Sequence, residues 1–179
     1  MADHKDLGGK ELWDNVAAIG HFAQKGLIDP KRVGMIGGSY GGYMSALAAT
    51  KASEHFAAAV NFAGIANWMS FTGTSDIPYE NSLVHWDLWC YDSAEKCRQG
   101  SAMTFIKKAR TPLLLLHGKN DQRVPIGQAW ELHTAFRINK IPTEFVIYPR
   151  EGHGLREKAH KQDALLRALQ WFDKYLKRK

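Results

Sequence analysis

The sequence predicts an α/β fold, a mostly parallel sheet with helices on both faces. Two observations carry this reading. Short apolar runs of strand length alternate along the chain with stretches whose apolar residues recur at helical spacing. With 179 residues, 45% of them hydrophobic and 23% charged, there is chain enough for a buried core. No repeat, low-complexity block or linker interrupts it, so residues 1–179 read as one domain.

The elements follow in order. Leu12, Val16, Ile19 and Ala23 recur at helical spacing and predict an amphipathic helix over 10–25, ended by Gly26. A DPKR turn at 29–32 leads into a strand, Val33 to Ile36. From Gly41 onward YMSALAATKA reads as a helix, and Ala58 to Phe62 as the next strand. Leu113 to Leu116, entered through Thr111 and Pro112, reads as a buried strand. Ala129, Leu132 and Phe136 mark a helix after it, Glu144 to Ile147 a fourth strand, and Leu165, Ala168, Leu169, Phe172 and Leu176 a closing helix. Between these, residues 64–102 have no single period and hold Trp68, Phe71, Tyr79, Trp86, Trp89 and Tyr91. Such a stretch is either buried packing or a lid or pocket wall, and Trp86 is the member taken as a substrate contact.

Charge and cysteine usage exclude several classes. The formal charge of +6 is concentrated in the tail, at Lys174, Lys177, Arg178 and Lys179, without an aromatic-interleaved basic stripe, so no nucleic-acid partner is expected. No apolar run approaches the ~20 residues that span a bilayer, and the start MADHKDLGGKELWD is too polar for a signal peptide, so a cytoplasmic location and no membrane partner are expected. Cys90 and Cys97 fit no zinc pattern. Free thiols are the expectation for them, a local bridge the alternative. No HExxH or clustered His and carboxylate spacing calls for a metal, and no cofactor is expected.

The stretch GMIGGSYGGYM, residues 34–44, carries the chemistry. Gly37, Ser39 and Gly41 form GxSxG between a predicted strand and a predicted helix, the context of a nucleophile elbow. The sharp turn crowds its neighbours against strand and helix, where a Cβ would clash. The helix that starts there points its positive end at the site. A hydroxyl needs an imidazole to take its proton and a carboxylate to orient that imidazole. Open parallel sheets place such groups beyond the carboxyl ends of strands. The strand at 113–116 runs into HGKNDQRVP, offering Asp121, and the strand at 144–147 into YPREGHG, offering His153. Taken singly, Asp121 reads equally as a turn cap and His153 as a surface loop residue. Their order and placement after separate strands select the catalytic reading. His117, beside Gly118 at a strand end, reads as a packed or pocket-wall residue. Asp87 and Asp92 follow no clear strand and are weaker acids for the role.

GGSYGGYM, HGKNDQRVP and YPREGHG together resemble the signature segments of the prolyl oligopeptidase family of serine peptidases, nearest its acylaminoacyl peptidase and dipeptidyl peptidase branches. The likeness runs from the first helix to the last. It implies a truncated α/β-hydrolase fold, with Ser39 as nucleophile, Asp121 as orienting acid, His153 as general base and the Tyr40 backbone N–H in the oxyanion hole. The family's DxRV segment falls on Arg123 and Val124, which would face the substrate; a surface salt bridge is the other reading of Arg123. Members normally carry a β-propeller and about four further strands ahead of this region, together with a loop giving the second oxyanion donor. Without that loop, short-chain acyl esters are expected ahead of acyl-peptide bonds, because an alkoxide leaves more readily than an amine. An oligopeptidase fragment acting on peptides is the alternative, and a silent assembly or binding module a third reading. The VGMIGG strand would then present a bare edge, covered in a homodimer or higher oligomer.

Overall fold

The computed structural model describes residues 4–177, so Arg178 and Lys179 of the basic tail lie outside it. Four strands lie side by side in chain order: β1 (Gly34–Gly38), β2 (Ala58–Phe62), β3 (Leu113–Gly118) and β4 (Thr143–Tyr148). Every neighbouring pair is parallel, with Ile36 opposite Val60, Val60 opposite Leu114 and Leu114 opposite Glu144. Parallel neighbours need crossovers. Helix α2 (Tyr40–Ala49) joins β1 to β2, and α5 (Gly127–Ile138) joins β3 to β4. An amphipathic α1 (Lys10–Gln24) precedes β1, and α6 (Lys158–Leu176) follows β4.

Strand alternation divides the core into two layers. Ala59, Leu113 and Leu115 face one side, where Leu12 of α1, Leu47 of α2 and Leu132 and Phe136 of α5 cover them. Ala58, Val60, Leu114 and Leu116 face the other, against Ala168 and Trp171 of α6. The predicted helices on both faces are therefore present. Among the described residues β1 is an edge strand, as the family resemblance implied, and Ile36 is 57% exposed there.

The irregular stretch after β2 folds into α3 (Trp68–Thr74), a π-helical turn (Glu80–Trp86), α4 (Ala94–Gly100) and a 3₁₀ segment at Ala102–Lys108. Trp68, Phe71 and Trp86 are buried packing, with Trp68 and Trp86 edge to face in the core, while Tyr79 and Tyr91 are exposed. The expectation of free thiols is overturned: Cys90 and Cys97 are joined in a disulfide across Cα atoms 5.7 Å apart, because the turn after the π-helix brings Cys90 back onto α4. Closing so short a loop stabilises by about 2 kcal/mol in the chain-entropy account. Reduction is expected to lower the melting temperature by roughly 4–8 °C for a chain of this size. Calorimetry with and without reductant tests this, and an unchanged transition would assign the bond no role in stability.

Candidate active site

β1, β3 and β4 end at the same rim of the sheet, and each carries one of the three predicted groups just past its last residue. Ser39 stands between β1 and α2 with φ 57° and ψ −118°, a conformation rarely held by a non-glycine residue, and its N–H donates to Phe62 O at 2.9 Å. The tightness of this turn is set by Gly37, where a Cβ would lie 2.4 Å from the Gly41 carbonyl group. Gly41 itself faces open space, so its backbone makes the close approach and a Cβ there would meet nothing. The positive end of the α2 dipole lies at Ser39.

β1 and β4 are three strand spacings apart, ~14 Å, so a histidine borne by β4 must fold back across the end of β3. Gly118 permits that crossing, because a Cβ there would fall 2.1 Å from Gly152 O. Asn120 N–H donates to Glu151 O at 2.8 Å and Lys119 N–H to Tyr148 O at 2.9 Å, tying the aspartate loop to the histidine loop.

The result is a linear relay. His153 Nδ1 lies 2.9 Å from Asp121 Oδ2, and its Nε2 lies 2.8 Å from Ser39 Oγ. A carboxylate only accepts, so Nδ1 carries the proton and Nε2 is left to accept from the serine hydroxyl. The other oxygen, Asp121 Oδ1, accepts from Arg123 N–H and Val124 N–H, each at 3.0 Å. Burial works to raise the Asp121 carboxyl. Hydrogen bonds from His117, His153 and the Val124 amide outweigh it and hold the group at about 2.

A cleft of about 290 Å³ opens beside Ser39 and His153. Its apolar wall is Ile65, Trp68, Phe71, Ile77 and Val124, and Tyr40 and Arg123 also line it. The Arg123 guanidinium is bound to Asp76 at 2.6 Å, as the salt-bridge reading expects, and the residue also borders the cleft. Trp86 is a correction. Only 2% exposed, it stands behind Trp68, against Gly100, and is not among the residues lining this cleft; an aromatic in an irregular stretch gives no sign of which layer it will occupy. Neither Gly8 nor Gly9 offers a second oxyanion donor. Gly8 N–H donates to Glu11 Oε1 at 2.6 Å, and Gly9 N–H to Asp6 O at 2.9 Å.

Two acidic residues escaped the sequence reading. Glu11 accepts from the Tyr40 hydroxyl as well as from Gly8, linking α1 to the residue after the serine, and no pattern in the chain pairs positions 11 and 40. Glu151 is buried and accepts from Arg156 N–H at 2.7 Å, Glu157 N–H at 2.9 Å and His160 Nδ1 at 2.8 Å, fixing the loop of His153 to the start of α6. Burial opposes its charge, but these donors prevail and hold the carboxyl at about 2. An acid shortly ahead of a helix start was the available signal.

Known proteins resemble this chain over nearly its whole length. A peptidase of Bacillus subtilis strain 168, YuxL, itself uncharacterized, is 36% identical over 177 residues, covering 96% of this chain and 26% of that protein. The acylamino-acid-releasing enzyme of Arabidopsis thaliana is 27% identical over 178 residues, covering 96% of this chain and 23% of the enzyme. Among solved structures, a puromycin-hydrolyzing peptidase of Mycobacterium tuberculosis superposes with a TM-score of 0.92 at 25% identity, over 99% of this chain and 27% of that one. The chain thus spans about a quarter of the length of the relatives it matches. Residues 2–179 match the model of the prolyl oligopeptidase family, and with this fold and these strand-end loops the chain belongs to that family.

Proposed function

We propose that the chain is the catalytic portion of a serine peptidase that cleaves acyl-peptide or short peptide substrates through an acyl-enzyme. The observation that carries this is the unbroken relay from Asp121 through His153 to Ser39 beside an apolar cleft. Ser39 Oγ attacks the scissile carbonyl carbon while its proton passes to His153 Nε2, and the new oxyanion faces the Tyr40 N–H at the head of α2. Collapse breaks the carbon–nitrogen bond, and the leaving amine takes the proton from His153. Water, deprotonated by the same imidazole, then releases the acyl group and restores the serine. Trp68, Phe71, Ile65 and Val124 favour an apolar side chain next to the scissile bond.

Peptide substrates are preferred here to the short-chain esters favoured from sequence, because the Arabidopsis thaliana relative is named for releasing acylamino acids. The ester reading keeps one support, the commitment of the Gly8 and Gly9 amides to other acceptors. Comparing p-nitrophenyl butyrate with acetyl-alanyl and dipeptidyl nitroanilides separates the two. Faster turnover of the anilides is expected, and the reverse ranking selects the esterase.

The edge of β1 also supports a homodimer or higher oligomer that adds a strand against Gly34–Gly38. Light scattering at micromolar concentration checks this, and a monodisperse monomer refutes it. Among the described residues no helix is long and apolar enough to cross a membrane. The Cys90–Cys97 bond weighs against the cytoplasmic placement expected from composition, since such bonds persist in oxidising compartments.

A further inference from the structure

His117 is the last-but-one residue of β3, 1% exposed, and outside the relay just described. Its Nε2 lies 2.8 Å from Val124 O and 3.3 Å from Asp121 Oδ2. The carbonyl and the carboxylate both accept, so Nε2 carries the proton and shares it between them. Nδ1, also buried, has no hydrogen-bond partner among the described residues. A buried ring with one end unsatisfied is costly to keep, and a hydrophobic side chain would fill the same space without that cost. What the ring supplies in return is an N–H that is bonded to Val124 O and lies 3.3 Å from Asp121 Oδ2, the oxygen that also receives His153 Nδ1–H.

We propose that His117 is a positioning residue that orients the Asp121 carboxylate and tempers its hold on His153. Asp121 Oδ1 is fixed by two backbone amides, so rotation of the carboxylate is resisted on that side by the chain itself. Among the described residues the Oδ2 side is met by the two imidazoles, one of which changes protonation state in the proposed reaction. His117 keeps that oxygen in place when His153 changes protonation state. It also ties the carboxylate to Val124, the residue of the cleft wall that follows Arg123 in sequence. The other charged groups near Asp121 are on its own loop and the segment facing it: the Arg123 guanidinium, bound to Asp76 and influenced by Glu80.

This inference rests on the triad reading of Ser39, Asp121 and His153, and the test separates the two. His117→Phe removes the donor and keeps a planar ring; His117→Gln retains an N–H near the position of Nε2. In the Phe variant kcat is expected to fall roughly tenfold at unchanged KM, the scale of losing one hydrogen bond to a charged group. The acid limb of its pH profile is expected to move to higher pH, because a carboxylate with one donor fewer attracts the His153 imidazolium more strongly. The Gln variant, which keeps a donor, is expected to stay within about threefold of wild type. Proton NMR of the full chain gives a readout that needs no turnover: the low-field resonance of the His153–Asp121 hydrogen bond should shift in the Phe variant and return in the Gln variant. An unchanged acid limb and resonance in the Phe variant overturn the proposal, as does equal loss in both variants, which would make His117 a packing residue. If wild type neither turns over substrate nor labels at Ser39, the catalytic reading fails, while the resonance still judges His117.

Discussion

Replacing Ser39 by alanine is expected to lower kcat by on the order of 10⁴- to 10⁶-fold and to abolish labelling by a fluorophosphonate. The hydroxyl makes its hydrogen bond to His153, whereas the turn is held by Ser39 N–H on Phe62 O and by the close approach of Gly37 and Gly41. The variant should therefore unfold close to the wild-type temperature, which distinguishes lost chemistry from lost structure. His153→Ala should fall about as far, and the double variant little further, because the two groups act as a unit. Hydrolysis that survives in Ser39→Ala would mean that another group, or another protein in the preparation, is responsible.

The second large effect is structural. Gly118→Ala is expected to destabilise the fold by about 3 kcal/mol, the upper end of the usual cost of overpacking. Its Cβ would meet Gly152 O at 2.1 Å and Glu151 O at 2.7 Å, and both contacts are backbone atoms that cannot swing aside. For a chain of this size that is a melting-temperature drop of roughly 6–12 °C. Folded protein should also lose most activity, since the same clash drives the histidine loop away from Asp121. Denaturant melts combined with labelling of the folded fraction would check both parts. A variant as stable and as reactive as wild type would show that the two loops do not need this contact.

Acid sensitivity follows from two carboxyls. Asp121 and Glu151 are each held at about 2 in the fold. Unfolded, they titrate near 3.9 and 4.3. The unfolded chain therefore binds more protons in this range, so the stability these groups contribute is complete above about pH 4.5 and drains away as pH falls toward 2. Glu151→Gln should flatten part of that slope and start from a lower plateau. Equilibrium unfolding between pH 2 and 6 gives the comparison, and parallel curves for the two proteins would remove Glu151 from the account.

The three loops proposed to be catalytic were legible because each announces itself through turn chemistry at a strand end: glycines around Ser39, Gly118 ahead of Asp121, and Gly152 and Gly154 around His153. Boundaries were less legible where tertiary pairing overrides local preference. β1 runs on through Gly37 and Gly38, which are poor strand formers, because Asn61 and Phe62 pair with them. α6 begins at Lys158, well before its first apolar marker Leu165, because its opening turns are largely polar. Glu11 was invisible for a different reason. Its partners are brought to it by the packing of α1 near the serine turn, and only long-range structure encodes that contact.

The strands stand in the sheet in the order in which a ribosome would deliver them, yet the relay joins groups 114 residues apart. A nascent or refolding chain can lay down three of these four strands with Ser39 in place and still lack His153. Recovery of reactivity during refolding should trail the recovery of circular dichroism, making this chemistry a reporter of the final docking event.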